Sequence, residues 1–252
     1  MAIRDNLNQL IRPLVWATGN TEYPFWGSGC SCMVGYRGHW LLVTAKHLTD
    51  ADNPDNLCIT PRDEVRLILP LKALHNPLSH DDFDTDHLDI SILEVDQSKV
   101  NAKDIQDVYL LDFETVYCSS ARLENGAKLL VVGIPKVDFD YKSKVFNFVR
   151  YQCRGIYAGI ARYKGCHEMS FDPNQEQDLQ SEPGAKMKLP TLDGFSGGPV
   201  FVDTIGKNNV VEPRLVGMAI RGSMESGKLY FMGSDLLKEL MDLVTGNLNR
   251  AG

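Results

Sequence analysis

A serine enclosed by glycines is the strongest candidate for chemistry in this sequence. Residues 194–199 read Gly-Phe-Ser-Gly-Gly-Pro, and an apolar stretch follows directly at 200–202. Glycines on both sides of Ser196 allow a tight turn that directs amide N–H groups to a point beside the hydroxyl. Such a point can hold the oxyanion that forms during acyl transfer. Ser196 is therefore a candidate nucleophile, and the N–H groups of Gly194 and Ser196 are candidate oxyanion donors.

A serine hydroxyl needs a general base, and the base needs a carboxylate that orients it. His47 ends an apolar, strand-like run at 40–47. Asp89 begins an apolar run at 89–93, which would bury its carboxylate against an imidazole. Asp86 is a rival, but it belongs to a solvated acidic run. The chain therefore offers His47, Asp89 and Ser196, in this order, as base, orienting acid and nucleophile.

Four segments together resemble the trypsin/chymotrypsin-like serine peptidases, in particular the bacterial type related to the high-temperature-requirement proteases. They are Gly-Ser-Gly at 27–29, Val-Thr-Ala-Lys-His at 43–47, Asp-Ile-Ser-Ile-Leu at 89–93 and the segment 194–199. A weaker match at 126–135 looks like the opening strand of the family's second barrel. The order His, Asp, Ser is that of chymotrypsin, whereas subtilisins and α/β-hydrolases use other orders. The resemblance covers roughly residues 25–245.

The resemblance implies an all-β fold of two antiparallel β-barrels of the chymotrypsin type, packed face to face, with a C-terminal α-helix. The N-terminal barrel, 1–118, would carry His47 and Asp89, and the C-terminal barrel, 119–252, would carry Ser196. The polar stretch 117–125 marks the boundary. The catalytic cleft would lie between the barrels, as interdomain pockets often do.

Hydrophobic patterning predicts the same class, because many short β-branched or alternating runs are separated by turn residues. The predicted strands are 41–45, 58–61, 64–71, 89–95, 128–134, 145–151, 155–163, 198–202, 215–220 and 228–232. A helix is predicted from a cap at Ser234 to a stop at Gly246, with an apolar face toward the second barrel. Residues 6–14 are predicted to form a short helix that Pro13 ends.

The implied reaction is peptide-bond hydrolysis through an acyl-enzyme. His47 would take the Ser196 proton and return it to the leaving amine, while ionised Asp89 would fix the imidazole tautomer. The alternative is a catalytically silent peptide-binding or scaffold module on the same fold, and an esterase would use the same acyl chemistry. Phe195 replaces the aspartate that pairs with a newly cut N-terminus in the digestive enzymes, so activation by such cleavage is not expected.

The resemblance also implies four substrate-binding residues. Pro190, six residues before the serine, would form the base of the primary pocket, where it offers no charge to a Lys or Arg side chain. Ala219, Ile220 and Arg221 would pair with the extended substrate backbone by β-addition. Arg221 is either a contact for an acidic substrate side chain or simply an exposed arginine at a strand end.

Composition is that of an ordinary soluble globular protein, with 252 residues of which 43% are hydrophobic. The net charge of −7 argues against nucleic acid as a partner, because phosphate contacts need a concentrated basic face. The expected partner is a polypeptide substrate, and regulation would come from loop ordering or a separate partner chain. Residues 1–14 lack the apolar core of a signal peptide or membrane span, which predicts a cytoplasmic protein without membrane contact.

No metal or cofactor is predicted. The acidic run 80–87 lacks the glycine and distal glutamate of a calcium loop and is predicted to be a charged surface loop. Cys30 and Cys32 would lie on one side of a strand, but no second close pair completes a zinc site. The six cysteines are predicted to be reduced and mostly buried. Residues 167–182 are predicted to form a mobile surface loop, and no further peptide-binding domain is expected after the helix.

Overall fold

Two large, mainly antiparallel β-sheets, two further two-stranded sheets and a C-terminal helix make up the described part of this computed structural model. It describes residues 10–22, 25–49, 56–62, 65–68, 70–76, 89–101, 109–135, 137–140, 145–148, 150–161, 165–178, 186–206 and 209–248. The strands of the first half are β1 (Ile11–Ala17), β2 (Phe25–Tyr36), β3 (His39–Thr44), β4 (Leu57–Arg62), β5 (Val65–Ile68), β6 (Leu71–His75), β7 (Ser91–Val95) and β8 (Leu111–Asp112).

Among the described residues, the second half contains ten strands and, with the segment before it, two α-helices. The strands are β9 (Lys128–Gly133), β10 (Val137–Asp140), β11 (Val145–Phe148), β12 (Tyr151–Ile160), β13 (Cys166–Ser170), β14 (Glu176–Asp178), β15 (Lys186–Lys188), β16 (Pro199–Ile205), β17 (Val211–Ser223) and β18 (Lys228–Gly233). Helix α1 (Phe113–Val116) precedes them, and helix α2 (Ser234–Leu248) follows them.

The two sheets share one strand order. In the second half, β12-β13-β18-β17-β16-β9 form a closed six-stranded barrel. In the first half the order is β5-β4-β1-β2-β3-β7-β6, and β5 and β6 at its two ends are separated by only residues 69 and 70. When β5 and β6 count as one strand, both sheets run first, second, third, sixth, fifth, fourth in chain order.

Strand alternation explains how both faces of the central strands are buried. In β3, Leu42 belongs to the core inside the first sheet, while Leu41 and Val43 belong to a second core. That second core also contains Phe201 of the barrel and Leu237 of α2, so it is shared by both halves. Because successive side chains of a strand point to opposite faces, a run of apolar residues can fill both cores.

The predicted all-β class with a C-terminal helix is confirmed, and each predicted strand run overlaps an observed strand. The apolar face of α2 is also confirmed, since Leu237, Met241 and Val244 are buried. The helix continues two residues past Gly246, which does not take the left-handed conformation of a C-terminal cap. No helix in the described part of the chain combines the length and apolarity needed to cross a bilayer.

Two predictions about local structure are wrong in part. Leu10 is helical, but β1 begins at Ile11, so the predicted helix at 6–14 is wrong for residues 11–14, and residues 6–9 lie outside the described ranges. Pro13 is tolerated in β1 because pairing with β4 begins only at Leu14. The predicted loop at 167–182 begins instead as barrel strand β13, and its His167 is buried. In the interior, His167 shares a hydrogen bond with the Tyr157 hydroxyl and stacks on Phe231.

The cysteine prediction is confirmed, and the acidic segment that was considered as a calcium site lies outside the described ranges. None of the six cysteines, all of which are described, forms a disulfide, and all except Cys118 are buried. In the described ranges, no group of three or more His, Cys, Asp or Glu side chains could hold a metal ion. The acidic run 80–87, including Asp86, falls outside those ranges.

Candidate active site

Strand pairing brings His47 and Asp89 together. The antiparallel pairing of β3 with β7 places Thr44 opposite Ser91. His47 comes shortly after Thr44 and Asp89 shortly before Ser91, so both residues lie just beyond this end of the two strands. The 3₁₀ turn Lys46–Leu48 then carries His47 toward Asp89. His47 Nδ1 lies 2.7 Å from Asp89 Oδ2, and the His47 backbone N–H donates to Asp89 Oδ1 at 2.9 Å. Both carboxylate oxygens therefore hold one residue, which fixes the imidazole and directs Nε2 away from the carboxylate.

A buried hydroxyl network supports this pair from behind. Thr49 Oγ1 donates to the Lys46 carbonyl and shares a 2.8 Å hydrogen bond with Ser91 Oγ. Ser91 also donates a hydrogen bond to the side chain of Asn76, the residue directly after β6. Thr49 and Ser91 are almost fully buried, whereas the His47 side chain is 48% exposed and that of Asp89 is 17% exposed. The network fixes the histidine turn and leaves the imidazole open to solvent.

Ser196 is the second residue of the second of two consecutive reverse turns. The Phe195 N–H donates to the Leu192 carbonyl at 3.0 Å, and the Gly198 N–H donates to the Phe195 carbonyl at 2.8 Å. The third residues of these turns, Gly194 and Gly197, have φ values of +90° and +82°. This is the type II pattern, which requires a left-handed residue at that position. The glycines that suggested a nucleophile turn are therefore the residues that its backbone needs.

Phe195 anchors this double turn in the core of the second barrel. Its ring is 2% exposed and packs on Gly133 of β9, where any Cβ would overlap it. The Gly194 backbone packs just as closely on the main chain of Ile134. Apolar burial thus stabilises the turn at the position where the digestive enzymes use an ion pair.

Two backbone N–H groups of the turn have no hydrogen-bond acceptor among the described residues. In the part of the chain that the structure describes, no group accepts a hydrogen bond from the N–H of Gly194 or of Ser196. The intervening N–H of Phe195 and the following N–H of Gly197 are both hydrogen-bonded. Unpaired backbone donors are rare in folded proteins, because each one forfeits a hydrogen bond. Both residues are partly exposed, so a bound group can reach them.

Consecutive residues of β2 contact the histidine turn and the serine turn. Gly29 packs on Leu48, the neighbour of His47, so closely that a Cβ would overlap the leucine. Cys30 donates its backbone N–H to the Ser196 carbonyl at 2.8 Å. Because consecutive Cα atoms are about 3.8 Å apart, one strand brings the two turns into the same region.

The Ser196 hydroxyl is hydrogen-bonded to a backbone carbonyl in this structure. It donates to the Ile220 carbonyl at 2.8 Å, and in the described ranges no hydrogen bond joins it to the imidazole. Ile220 lies in a β-bulge of β17, between Ala219 paired with Phe231 and Arg221 paired with Tyr230. The bulge turns its carbonyl toward the serine.

The predicted substrate-binding residues differ in what they can contact. Both main-chain groups of Ala219 are used, since its N–H and carbonyl bond Gly198 and Gly197 at 2.8 Å. The serine turn thus engages both groups, and the pairing of Ala219 with a substrate backbone stays a prediction. Further along, Gly222 and Ser223 are exposed and pair with β18, while no described strand pairs with their other edge.

Pro190 and Arg221 are both exposed. Pro190 lies between the buried side chains of Leu189 and Leu192, at the start of the serine turn. The Arg221 guanidinium lies 5.8 Å from the centre of the Tyr230 ring, within the range of a cation–π contact. Neither observation identifies a bound side chain. The sequence analysis missed the contacts of Cys30, although Cys30 directly follows the Gly-Ser-Gly motif at 27–29.

Comparison with known proteins gives this chain no family. No family model matches it, and no curated protein sequence matches it. The geometry of the site is therefore the basis for inferring its chemistry.

Proposed function

We propose that this protein is a serine endopeptidase that hydrolyses peptide bonds through an acyl-enzyme, with His47, Asp89 and Ser196 as its catalytic residues. One observation carries the proposal. Asp89 holds His47 through two hydrogen bonds, at 2.7 and 2.9 Å, and consecutive residues of β2, Gly29 and Cys30, contact the histidine turn and the Ser196 turn. A carboxylate-oriented imidazole next to a glycine-flanked serine is the arrangement that acyl transfer needs.

The proton path follows from the tautomer. With Nδ1 bonded to Asp89, His47 Nε2 is the nitrogen that takes the Ser196 proton, and Asp89 stabilises the imidazolium that forms. The hydroxyl must first rotate away from the Ile220 carbonyl. Catalytic hydrogen bonds are often unformed without substrate and tighten when it binds. Ser196 Oγ then attacks the scissile carbonyl, and His47 returns the proton to the leaving amine.

The two unclaimed amides support the next step. As Ser196 attacks, the substrate carbonyl oxygen becomes negative, and the N–H groups of Gly194 and Ser196 are the donors that can bind it. These donors are fixed before the reaction, since neighbouring peptide groups of the turn are hydrogen-bonded. In other enzymes, one donor of this kind is worth about 3 to 4 kcal/mol of transition-state stabilisation.

The chymotrypsin-type arrangement of two barrels is part of this proposal. Its support is the strand order common to both sheets and the short link between β5 and β6, which places one stretch of chain at both ends of the first sheet. The division into 1–118 and 119–252 stays a prediction. A cytoplasmic location is also part of the proposal, and its support is that none of the six cysteines forms a disulfide, as expected in a reducing environment.

The substrate class is an extended polypeptide. The exposed edge at Gly222 and Ser223 lies just past the carbonyl that binds Ser196, and it can pair with a substrate backbone by β-addition. The uncharged Pro190 favours a substrate side chain other than Lys or Arg at the cleavage point. A regulatory partner chain remains a prediction.

A catalytically silent peptide-binding module is the second candidate. The observation that favours it is the hydrogen bond from Ser196 Oγ to the Ile220 carbonyl, which withholds the hydroxyl from His47. Such a module would bind extended peptides at the same edge and never release cleaved products.

The test is digestion of a mixed peptide library, with products identified by mass spectrometry. We expect wild-type protein to cleave and Ser196→Ala to lose several orders of magnitude in turnover, about a millionfold in the subtilisin precedent. Ser98→Ala is the matched control, because Ser98 is an exposed serine in a first-sheet turn. Equal activity of Ser196→Ala and wild type would refute the proposal, and peptide binding without cleavage would support the silent module.

A further inference from the structure

We propose that the Cys30 side chain is a positioning residue that sets the spacing of the two oxyanion donors. The inference rests on the proposed function and deepens it. Cys30 reaches the serine turn twice, because its Sγ donates to the Gly194 carbonyl at 2.9 Å and its backbone N–H donates to the Ser196 carbonyl at 2.8 Å. Gly194 and Ser196 are the residues whose own N–H groups remain unclaimed.

The covalent geometry of one residue therefore fixes the distance between two parts of the turn. The peptide group between Gly194 and Phe195 is held at both ends, by the Cys30 thiol and by the Leu192 carbonyl. The peptide group after Ser196 is also held at both ends, by the Cys30 N–H and by the Ala219 carbonyl. With these groups fixed, the amides of Gly194 and Ser196 have little freedom to separate.

Cys30 also connects the serine turn to the histidine side of the site. Its carbonyl accepts a hydrogen bond from Thr44 Oγ1 at 2.7 Å, and Thr44 is the last residue of β3 before the histidine turn. The side chain of Cys30 is fully buried. No solvent competes for its hydrogen bonds, which makes them more effective than exposed ones.

The thiol has the right protonation state for a donor. The Ile134 N–H donates to Cys30 Sγ at 3.1 Å, so the single thiol proton remains for the Gly194 carbonyl. Burial raises the pKa of Cys30 to about 12, with opposing contributions from the Ile134 hydrogen bond and Arg150. The group therefore stays a neutral S–H throughout the physiological pH range.

The expected effect of Cys30→Ala is a fall in kcat with little change in KM. Loosening a catalytic group by about 1 Å costs roughly 10²-fold in rate, and we expect a kcat loss of that order. KM should hold, because the oxyanion donors act in the transition state and not on the bound substrate. Cys30→Ser keeps an O–H donor on a shorter bond, so it should restore part of the lost kcat.

Cys32→Ala is the matched control. Cys32 lies two residues further along the same strand and is as fully buried as Cys30, but the hydrogen bond from its Sγ goes to the Met33 carbonyl of its own strand and is long, at 4.0 Å. Each variant loses one buried sulfur atom. If the Cys30 side chain had a purely structural role, the two variants would show equal effects on thermal stability and on kcat. We expect similar stability losses but an unchanged kcat for Cys32→Ala.

The experiment compares wild type and these three variants by peptide hydrolysis and by inhibition with a peptide aldehyde, which forms a tetrahedral adduct with the serine. Aldehyde affinity should fall for Cys30→Ala in proportion to kcat, and it should stay near wild type for Cys32→Ala. If Cys30→Ala retains wild-type kcat and aldehyde affinity, the positioning role is wrong although the peptidase proposal stands. Wild-type protein without turnover contradicts the proposed function itself, and this inference with it.

Discussion

Gly194→Ala should damage the site in two separable ways. Gly194 has a φ of +90°, and an added Cβ would come closer than 3.0 Å to the carbonyl oxygen of Ile134. The left-handed conformation costs an L-residue roughly 1 to 2 kcal/mol. Overpacking costs about 1 to 3 kcal/mol more, because the opposing atom belongs to the backbone and cannot turn aside. We therefore expect a loss of about 2 to 5 kcal/mol of unfolding free energy.

Gly126→Ala separates the two contributions. Gly126 has nearly the same φ, +87°, but no atom lies within 4 Å of its added Cβ. This variant should lose only the conformational part, about 1 to 2 kcal/mol, and keep its turnover. Urea unfolding at neutral pH measures the stabilities, and hydrolysis of a fluorogenic peptide measures the rates.

The activity result carries the functional meaning. Relief of the overlap at Ile134 must move the Gly194 peptide, so Gly194→Ala should lose at least about 10²-fold in turnover through the displaced oxyanion donor. If the two alanine variants were equally stable and equally active, the close packing of Gly194 would have no consequence and the reasoning would be refuted.

Three further variants test other parts of the structure. Asp89→Asn keeps the shape beside His47 but removes the charge, and turnover should fall about 10⁴-fold with the fold intact by circular dichroism. Burial raises the pKa of Asp235, but hydrogen bonds from residues 117–121 outweigh it and lower the pKa overall. Asp235→Asn should therefore lower the free energy of unfolding by about 2 kcal/mol at pH 7, measured by urea unfolding. On acidification below about pH 4, this variant should lose less stability than the wild type. Burial lowers the pKa of His167. Below about pH 6.5 the unfolded chain therefore binds a proton at this residue more readily than the folded chain does, which destabilises the fold. His167→Gln should reduce the stability lost between pH 7.5 and 5.5, and an unchanged loss would contradict this.

Local patterns allowed the sequence to predict the components of the site. The apolar runs before His47 and after Asp89 became neighbouring strands β3 and β7, whose pairing brings the two side chains together. The glycines beside Ser196 predicted its turn, because left-handed positions leave a direct signature in sequence. These features depend on the strand pattern and on backbone conformation, which short segments encode.

Long-range pairings could not be read in the same way. The contact between Cys30 and Gly194 joins residues 164 apart, and nothing in either segment specifies it. The use of Ala219 by the serine turn depends on where a β-bulge falls in β17. The sequence around His167 predicts a loop, because the residues that bury it, Tyr157 and Phe231, lie on other strands and leave no local signal. Partner choice across a sheet is set by tertiary packing, which overrides local composition.

Labelling with a fluorophosphonate tests the central claim most directly. The reagent reacts with a serine whose proton is removed by a neighbouring base, and peptide mapping by mass spectrometry identifies the modified residue. We expect a single adduct on Ser196 in the wild-type protein and none in His47→Ala. An unlabelled wild type, or equal labelling of Ser196 in His47→Ala, would contradict a nucleophile activated by this histidine.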